Sequence, residues 1–354
     1  MENPMSRHNY FGWPSAARLK DGRIAVAASG FRLSHICPFG KTVIAYSSDE
    51  GEKYTLPAPV IDTVLDDRDG AVLAFGDSGV LVASFNNTVD FQRAHVGRWA
   101  DRQYRLEYLG LLGGEEEEKY LGSVYRISLD NGITFGELRK SPITSPHGPL
   151  ECRDGRIIWV GRTFSPNDAM TEGDCVKAYS LDVSSGQMSY LGRIDDIIYE
   201  GEKLLSCEPY AIELEDGTLL CHIRAQRPAS EGKGQVFTIY QSVSSDGGRS
   251  WSAPKRILSE CGGAPSHIMR HSSGALISTY GYRYEPYGIK AMISFDNGKS
   301  WQTDIELYTN GVNGDLGYPS CVELSDGSII TVFYCHESPE SPAVIMQQRW
   351  RLEL

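Results

Sequence analysis

The chain has 354 residues, 41% apolar and 23% charged, with a formal net charge of −12 at pH 7. This is the composition of an ordinary globular protein, and its acidic balance argues against nucleic acid and anionic membranes, both of which need a basic footprint. No apolar run approaches a membrane span, and the opening MENPMSRHNYFGWPS has neither the basic nor the apolar region of a signal peptide, so a cytoplasmic location is expected.

Thirty-seven glycines and 19 tyrosines favour short strands joined by tight turns. The first such unit is WPSAARLKDGRIAVAASGFR (13–32), two apolar runs hinged on Asp-Gly, followed by SSDEGEKY (47–54). DGAVLAFGDSGVLVASF (69–85) is the second hairpin. After it, Phe91, Val96, Trp99, Leu106 and Leu109 recur at roughly helical spacing, and Gly113-Gly114 would stop the helix. Residues 88–120 therefore read as a helical insertion, with Glu115–Glu118 as a solvated loop. SLDNGITF (128–135), HGPLECRDGRIIWVGR (147–162), YSLDVSSGQMSY (179–190) and CEPYAIELEDGTLLCHIR (207–224) come next. SSDGGRSW (244–251), APSHIMRHSSGALISTYGYR (264–283), SFDNGKSW (294–301) and YPSCVELSDGSIITVFYCHE (318–337) complete the series.

Two motifs thus alternate. Six hairpins recur at intervals of roughly 55 to 80 residues, and repeats override a domain count based on length. Between them, four segments fit Ser-x-Asp-x-Gly-x-x-aromatic, with 179–190 a degenerate fifth. In that box the Asp carboxylate accepts backbone N–H groups, Gly takes a positive φ and the aromatic packs behind. Each box falls where a third strand should turn into a fourth. Four antiparallel strands, six times over, make an all-β, six-bladed β-propeller. A single domain spans residues 1–354, with the insertion in blade 2.

In such a ring the first strands start, and the second strands end, at one central cleft. Second strands bring Arg32, Arg162, Arg224, Arg283 and the pair His336/Glu337. First strands bring Trp13, Arg68 and Asp69, His147, Glu208, His267 and Tyr318. A guanidinium matches a carboxylate in a bidentate fork, so this cluster points to an anionic ligand. The sequence separation of His147, His267 and His336 gives no ligand signature, and no metal or other cofactor is expected. The eight cysteines form no CxxC pair and several fall within strand patterns, which suits buried free thiols.

The boxes resemble the Asp-boxes (BNR repeats) of the sialidase superfamily, and the resemblance runs over almost the whole chain. It implies an exo-glycosidase that cleaves a terminal acidic sugar from a carbohydrate partner. Attack by a carboxylate on an anomeric carbon that already bears one would set like charges together, so these enzymes use a neutral Tyr activated by a Glu. By that resemblance GDLGYPS (314–320) carries the nucleophile Tyr318, Glu208 is its base, and Arg224 and Arg283 hold the substrate carboxylate. The boxes are implied to be scaffold on the opposite face.

Two departures stand out. Where the resemblance implies an Arg-Ile-Pro segment, YFGWPS places Gly12 or Trp13, leaving Arg32, Arg68 or a folded-back Arg7 to substitute. No Asp or Glu lies between Arg32 and Asp49, where the acid is implied. His35 could titrate there, but Asp69 is the preferred acid, and His35, His147 and His267 are assigned to substrate binding. A propeller that binds an acidic glycan without cleaving it, and a protein-interaction platform, remain the alternatives.

Overall fold

Six antiparallel sheets follow one another along the chain, so the computed structural model is an all-β, six-bladed propeller. It describes residues 1–97, 101–165, 175–230, 233–262 and 265–353. Blade 1 contains β1 (Tyr10–Arg18), β2 (Ile24–Arg32), β3 (Lys41–Ser47) and β4 (Ala58–Ile61). In blade 2, β5 (Arg68–Phe75) and β6 (Gly79–Phe85) precede α1 (Val89–His95), α2 (Arg102–Gly110) and α3 (Gly114–Tyr120), then β7 (Ser123–Ser128) and β8 (Arg139–Ser141). Blade 3 splits its innermost strand into β9 (Ile143–Thr144) and β10 (Leu150–Glu151), both paired with β11 (Ile157–Thr163), and continues with β12 (Val176–Leu181) and β13 (Met188–Arg193). A small hairpin, β14 (Ile198–Tyr199) and β15 (Glu202–Lys203), leads to blade 4: β16 (Leu205–Glu213), β17 (Leu219–Arg227), β18 (Val236–Ser244) and β19 (Lys255–Arg256). Blade 5 holds β20 (Ser266–Arg270), β21 (Leu276–Tyr282), β22 (Gly288–Ser294) and β23 (Gln302–Tyr308). Blade 6 holds β24 (Gly317–Glu323), β25 (Ser328–His336) and β26 (Ala343–Arg351). Its outer edge is met by the first residue: the Met1 ammonium donates to Ile345 O and Ile345 N donates to Met1 O.

The core is a set of apolar layers between neighbouring blades. Phe11, Val26, Val43, Val332 and Ile345 close blade 6 against blade 1, and Leu81, Tyr125, Ile157 and Trp159 join blades 2 and 3. Strand residues alternate in direction, so a blade buried on both faces needs near-continuous apolar runs such as IAVAAS in β2.

The Asp-boxes sit where the sequence puts them. In the box after β22, Ser294 Oγ donates to Asp296 Oδ1 (2.7 Å), Gly298 N to Ser294 Oγ (2.8 Å) and Ser300 N to Asp296 Oδ1 (2.9 Å). Asn297 and Gly298 both have positive φ (58° and 81°), which the two-residue turn requires. Ser244, which opens another box, pairs with Leu219 at the far end of β17 from Arg224. Box and cleft therefore occupy opposite faces.

The insertion is helical, with Thr88 capping α1 by accepting from Phe91 N (3.1 Å). Val89, Val96 and Leu109 bury against Leu65, whereas Trp99 lies outside the described residues. The acidic run is not a loop. Glu115, Glu116 and Glu117 occupy the first turn of α3, where negative charge complements the helix dipole, and Glu116 accepts from Gly113 N. Arg105 of α2 is buried and donates to Ser34 Oγ (2.9 Å) and Ile36 O (2.8 Å), so the insertion braces the 33–40 loop.

Candidate active site

Four inner strands begin with the same backbone distortion. Trp13, Asp69, Glu208 and Tyr318 have φ of 53°, 60°, 50° and 50°, a left-handed conformation that costs an L-residue roughly 1–2 kcal/mol. Each lies within a break in strand register: Gly12/Ser15, Arg68/Ala71, Cys207/Tyr210 and Gly317/Ser320. Pro follows in three of them (Pro14, Pro209, Pro319) and Gly70 in the other. A bulge re-aims the side chain it contains, and here all four turn toward one cleft of about 270 Å³ at the centre of the ring. Strain recurring at four blades and converging on one cavity marks it as the candidate site.

At its floor, Tyr318 Oη donates to Glu208 Oε1, and Arg224 Nη1 donates to Glu208 Oε2 (2.5 Å). Burial, reinforced by the Glu208 charge, pushes the Tyr318 phenol well above its usual value of 10.0, so the resting group is neutral. Burial works against the charge on Arg224, but the neighbouring Glu208 carboxylate more than offsets it, and the guanidinium stays charged. Arg283 is anchored by Nε to Leu316 O (3.0 Å), with its guanidinium 5.9 Å from the centre of the Tyr318 ring.

Arg68, Arg162 and His35 complete the wall of the cleft. The Arg68 guanidinium lies 4.6 Å above the Trp13 ring and donates from Nη2 to His35 Nε2 (3.2 Å). Of the groups considered for the missing arginine, Arg68 lines the cleft and two others do not. Arg32 is fully buried, paired with Asp66 (2.7 Å) and bonded to Ser29 Oγ and His35 O, with its guanidinium 4.9 Å from the centre of the Trp13 ring. Arg7 packs over Tyr104 of the insertion, 4.9 Å from its ring centre.

His147 and His267 do not line the cleft either. In blade 3 the residue before Pro149 is Gly148 (φ +81°), so the position that aims a side chain inward carries none, and His147 is one residue too early. His267 stands on β20 itself, two residues after Pro265. The two rings are buried with centroids 5.2 Å apart and Tyr210 between blades beside them. His147 contacts Ser15 Oγ (2.8 Å), His267 Nδ1 accepts from Cys321 N (3.2 Å), and burial pulls the pKa of both down, that of His267 to about 3. They are neutral packing groups. His336 is turned to Asp315, and among the described residues no three His, Cys, Asp or Glu gather as a metal site would need.

Asp315 is the residue the sequence did not single out. Its carboxylate accepts from Tyr10 Oη (2.8 Å), His35 Nδ1 (3.0 Å), Tyr334 Oη (3.0 Å) and His336 Nε2 (3.1 Å). Burial alone would raise its pKa, but the bonds from His336 and His35 outweigh this and hold it well below the usual carboxylate range. Its place in GDLGYPS, three residues before Tyr318, was the available signal. All eight cysteines are buried and none is in a disulfide. Among the described residues no helix is long and apolar enough to cross a membrane.

Residues 96–331 match the BNR repeat-like domain family. The chain belongs to this family. Solved structures share its propeller. A protein of unknown function from Dyadobacter fermentans is 20% identical, with TM-score 0.74, covering 98% of this chain and 96% of the other. The intramolecular trans-sialidase from Ruminococcus gnavus, solved with oseltamivir carboxylate, is 16% identical, with TM-score 0.63 and 98% and 96% covered. The Trypanosoma rangeli sialidase, solved with sialic acid, is 15% identical, with TM-score 0.62 and 96% and 54% covered. No curated protein sequence matches the chain. The family member described here thus has a sialidase-like fold.

Proposed function

We propose that the chain is a retaining exo-glycosidase of sialidase type that removes a terminal acidic sugar from a glycan. The observation that carries this reading is the Tyr318–Glu208–Arg224 chain of hydrogen bonds at the floor of an arginine-lined cleft. A phenol with a raised pKa is a poor nucleophile until a base takes its proton in the transition state, and Glu208 is already bonded to that proton. Arg224 holds the Glu208 carboxylate in place through its other oxygen. Arg224 and Arg283, with Arg68 on the facing wall, would hold the sugar carboxylate and set its anomeric carbon above Tyr318 Oη. A neutral nucleophile meets no like charge there, so attack is open to a sugar that carries its carboxylate at the reacting carbon. Two side chains on the wall can pass a proton to the departing oxygen, Asp69 and His35.

The test is a screen of chromogenic aryl sialosides and aryl uronides, followed by two variants. Tyr318→Phe removes one oxygen and should suppress turnover of the cleaved sugar by ~10²-fold or more while leaving the melting temperature near wild type. Glu208→Gln should lose much of the rate yet still bind the sugar. Wild-type rates in Tyr318→Phe would rule out the mechanism. Binding of acidic glycans without cleavage of any would leave a glycan-binding propeller.

A further inference from the structure

We infer that His35, oriented by Asp315, is the proton-transfer residue of the cleft, giving a proton to the leaving glycosidic oxygen and later taking one from water. The inference rests on the glycosidase reading.

His35 lies on the 33–40 loop that Arg105 braces, and nearly half of its side chain (47%) is open. Its two nitrogens face different partners. Nδ1 meets the Asp315 carboxylate at 3.0 Å, and a carboxylate held by three other donors can only accept, so Nδ1 carries the proton. Nε2 is then the lone pair, on the cleft side, receiving the Arg68 guanidinium at 3.2 Å. A carboxylate that fixes the tautomer of an imidazole whose other nitrogen faces a reaction cavity is the arrangement of an acid–base dyad. Trp13 stands edge-on to the ring, with centroids 4.9 Å apart, and limits its rotation.

Asp69 is placed differently. It is 6% exposed, and its charge acts on the Tyr318 phenol, raising that pKa, so it belongs to the nucleophile's side of the cleft.

The step balances without a cofactor. As Tyr318 Oη bonds to the anomeric carbon, its proton passes to Glu208, the bond to the leaving oxygen breaks, and the Nε2 proton of protonated His35 goes to that oxygen. In the return step neutral His35 takes a proton from water, the water oxygen bonds to the anomeric carbon, and Tyr318 leaves with the proton held by Glu208. The groups facing His35 are Asp315 and Tyr10 Oη at Nδ1, Arg68 at Nε2 and Arg32 behind it. Desolvation and the two guanidiniums lower its pKa from 6.5 and outweigh Asp315, while a substrate carboxylate bound at Arg68 adds the counter-charge that favours protonation.

The test compares wild type and His35→Gln on 4-methylumbelliferyl α-sialoside, whose phenolate leaves unaided, and on α2,3-sialyl-lactose, whose alkoxide needs a proton. His35→Gln should lose roughly 10²–10⁴-fold in kcat/KM on sialyl-lactose but less than about ten-fold on the aryl sialoside. The alkaline limb of the wild-type kcat/KM profile on sialyl-lactose should fall below pH 6.5, since the acid form of His35 is lost above its lowered pKa, and should vanish in the variant. Asp315→Asn should reproduce the leaving-group selectivity more weakly, as expected of a positioning residue. An equal loss on both probes in a His35→Gln protein that melts like wild type overturns the assignment, as does a selective loss in Asp69→Asn with none in His35→Gln. If wild type cleaves neither these probes nor the aryl uronides, the glycosidase reading itself falls and takes the assignment with it.

Discussion

Arg224 donates through Nη1 to Glu208, and its buried Nε has no hydrogen-bond partner among the described residues. Arg224 lines the cleft, so an anionic ligand that meets its guanidinium there gains a charge-assisted bond of about 1.5–3 kcal/mol. Arg283 differs, because its Nε donates to Leu316 O and its guanidinium stands 5.9 Å from the centre of the Tyr318 ring. Replacing each should therefore act differently. Arg283→Ala should weaken a carboxylate ligand by roughly ten- to a hundred-fold, mainly in KM. Arg224→Ala should lower kcat as well, because Glu208 loses the hydrogen bond that positions its carboxylate against Tyr318 Oη. Isothermal titration with the free acidic sugar and with its methyl ester separates binding from scaffolding. Equal weakening of acid and ester would mean that the arginines act through structure alone.

The box turns are the elements whose role the fold defines most sharply. Hydrogen bonds from Ser300 and Ser294 lower the Asp296 carboxyl to about 2, and bonds from Ser128 and Thr134 do the same for Asp130. A pKa depressed in the folded state contributes stability that is present above the unfolded value of 3.8 and lost as pH falls toward 2. Asp296→Ala should thus lower the melting temperature at pH 7 with kcat/KM unchanged, and the gap from wild type should narrow below pH ~4. An unchanged melting temperature, or lost activity, would contradict a scaffold role. These turns and the hairpins were legible in the sequence because Asp-Gly and Asn-Gly fix backbone geometry locally. The inner bulges were less so: aligned by first strand residue, His147 falls with Glu208 and Tyr318, but aligned by the following proline, Gly148 does. Beyond its place three residues before Tyr318, Asp315 left no trace in the sequence, because its donors Tyr10 and His35 lie 305 and 280 residues away and are joined to it only when the ring closes. Arg32 misled for a related reason. A strand-end arginine reads as a cleft residue until Asp66 is seen to claim it.

The whole molecule gathers its chemistry by rotation. Blades 1, 2, 4 and 6 each aim one inner-strand residue at the axis, so Trp13, Asp69, Glu208 and Tyr318, scattered over the chain, share one cavity without any of them being near another in sequence. A protein of net charge −12 places Arg68, Arg162, Arg224 and Arg283 around that cavity. On the proposed reading, the acidic exterior and the arginines of the cleft would focus an anionic ligand on the axis rather than on the surface. The central claim is that Tyr318 Oη forms the bond to the sugar, and a trapped intermediate tests it most directly. A 2,3-difluoro derivative of sialic acid leaves readily in the first step, while fluorine beside the anomeric carbon slows the second, so a covalent glycosyl-enzyme accumulates. Intact-protein and peptide mass spectrometry should find one sugar per chain, attached at Tyr318 and absent from Tyr318→Phe. Turnover of the aryl sialoside with no adduct, or an adduct on any other residue, would contradict the account.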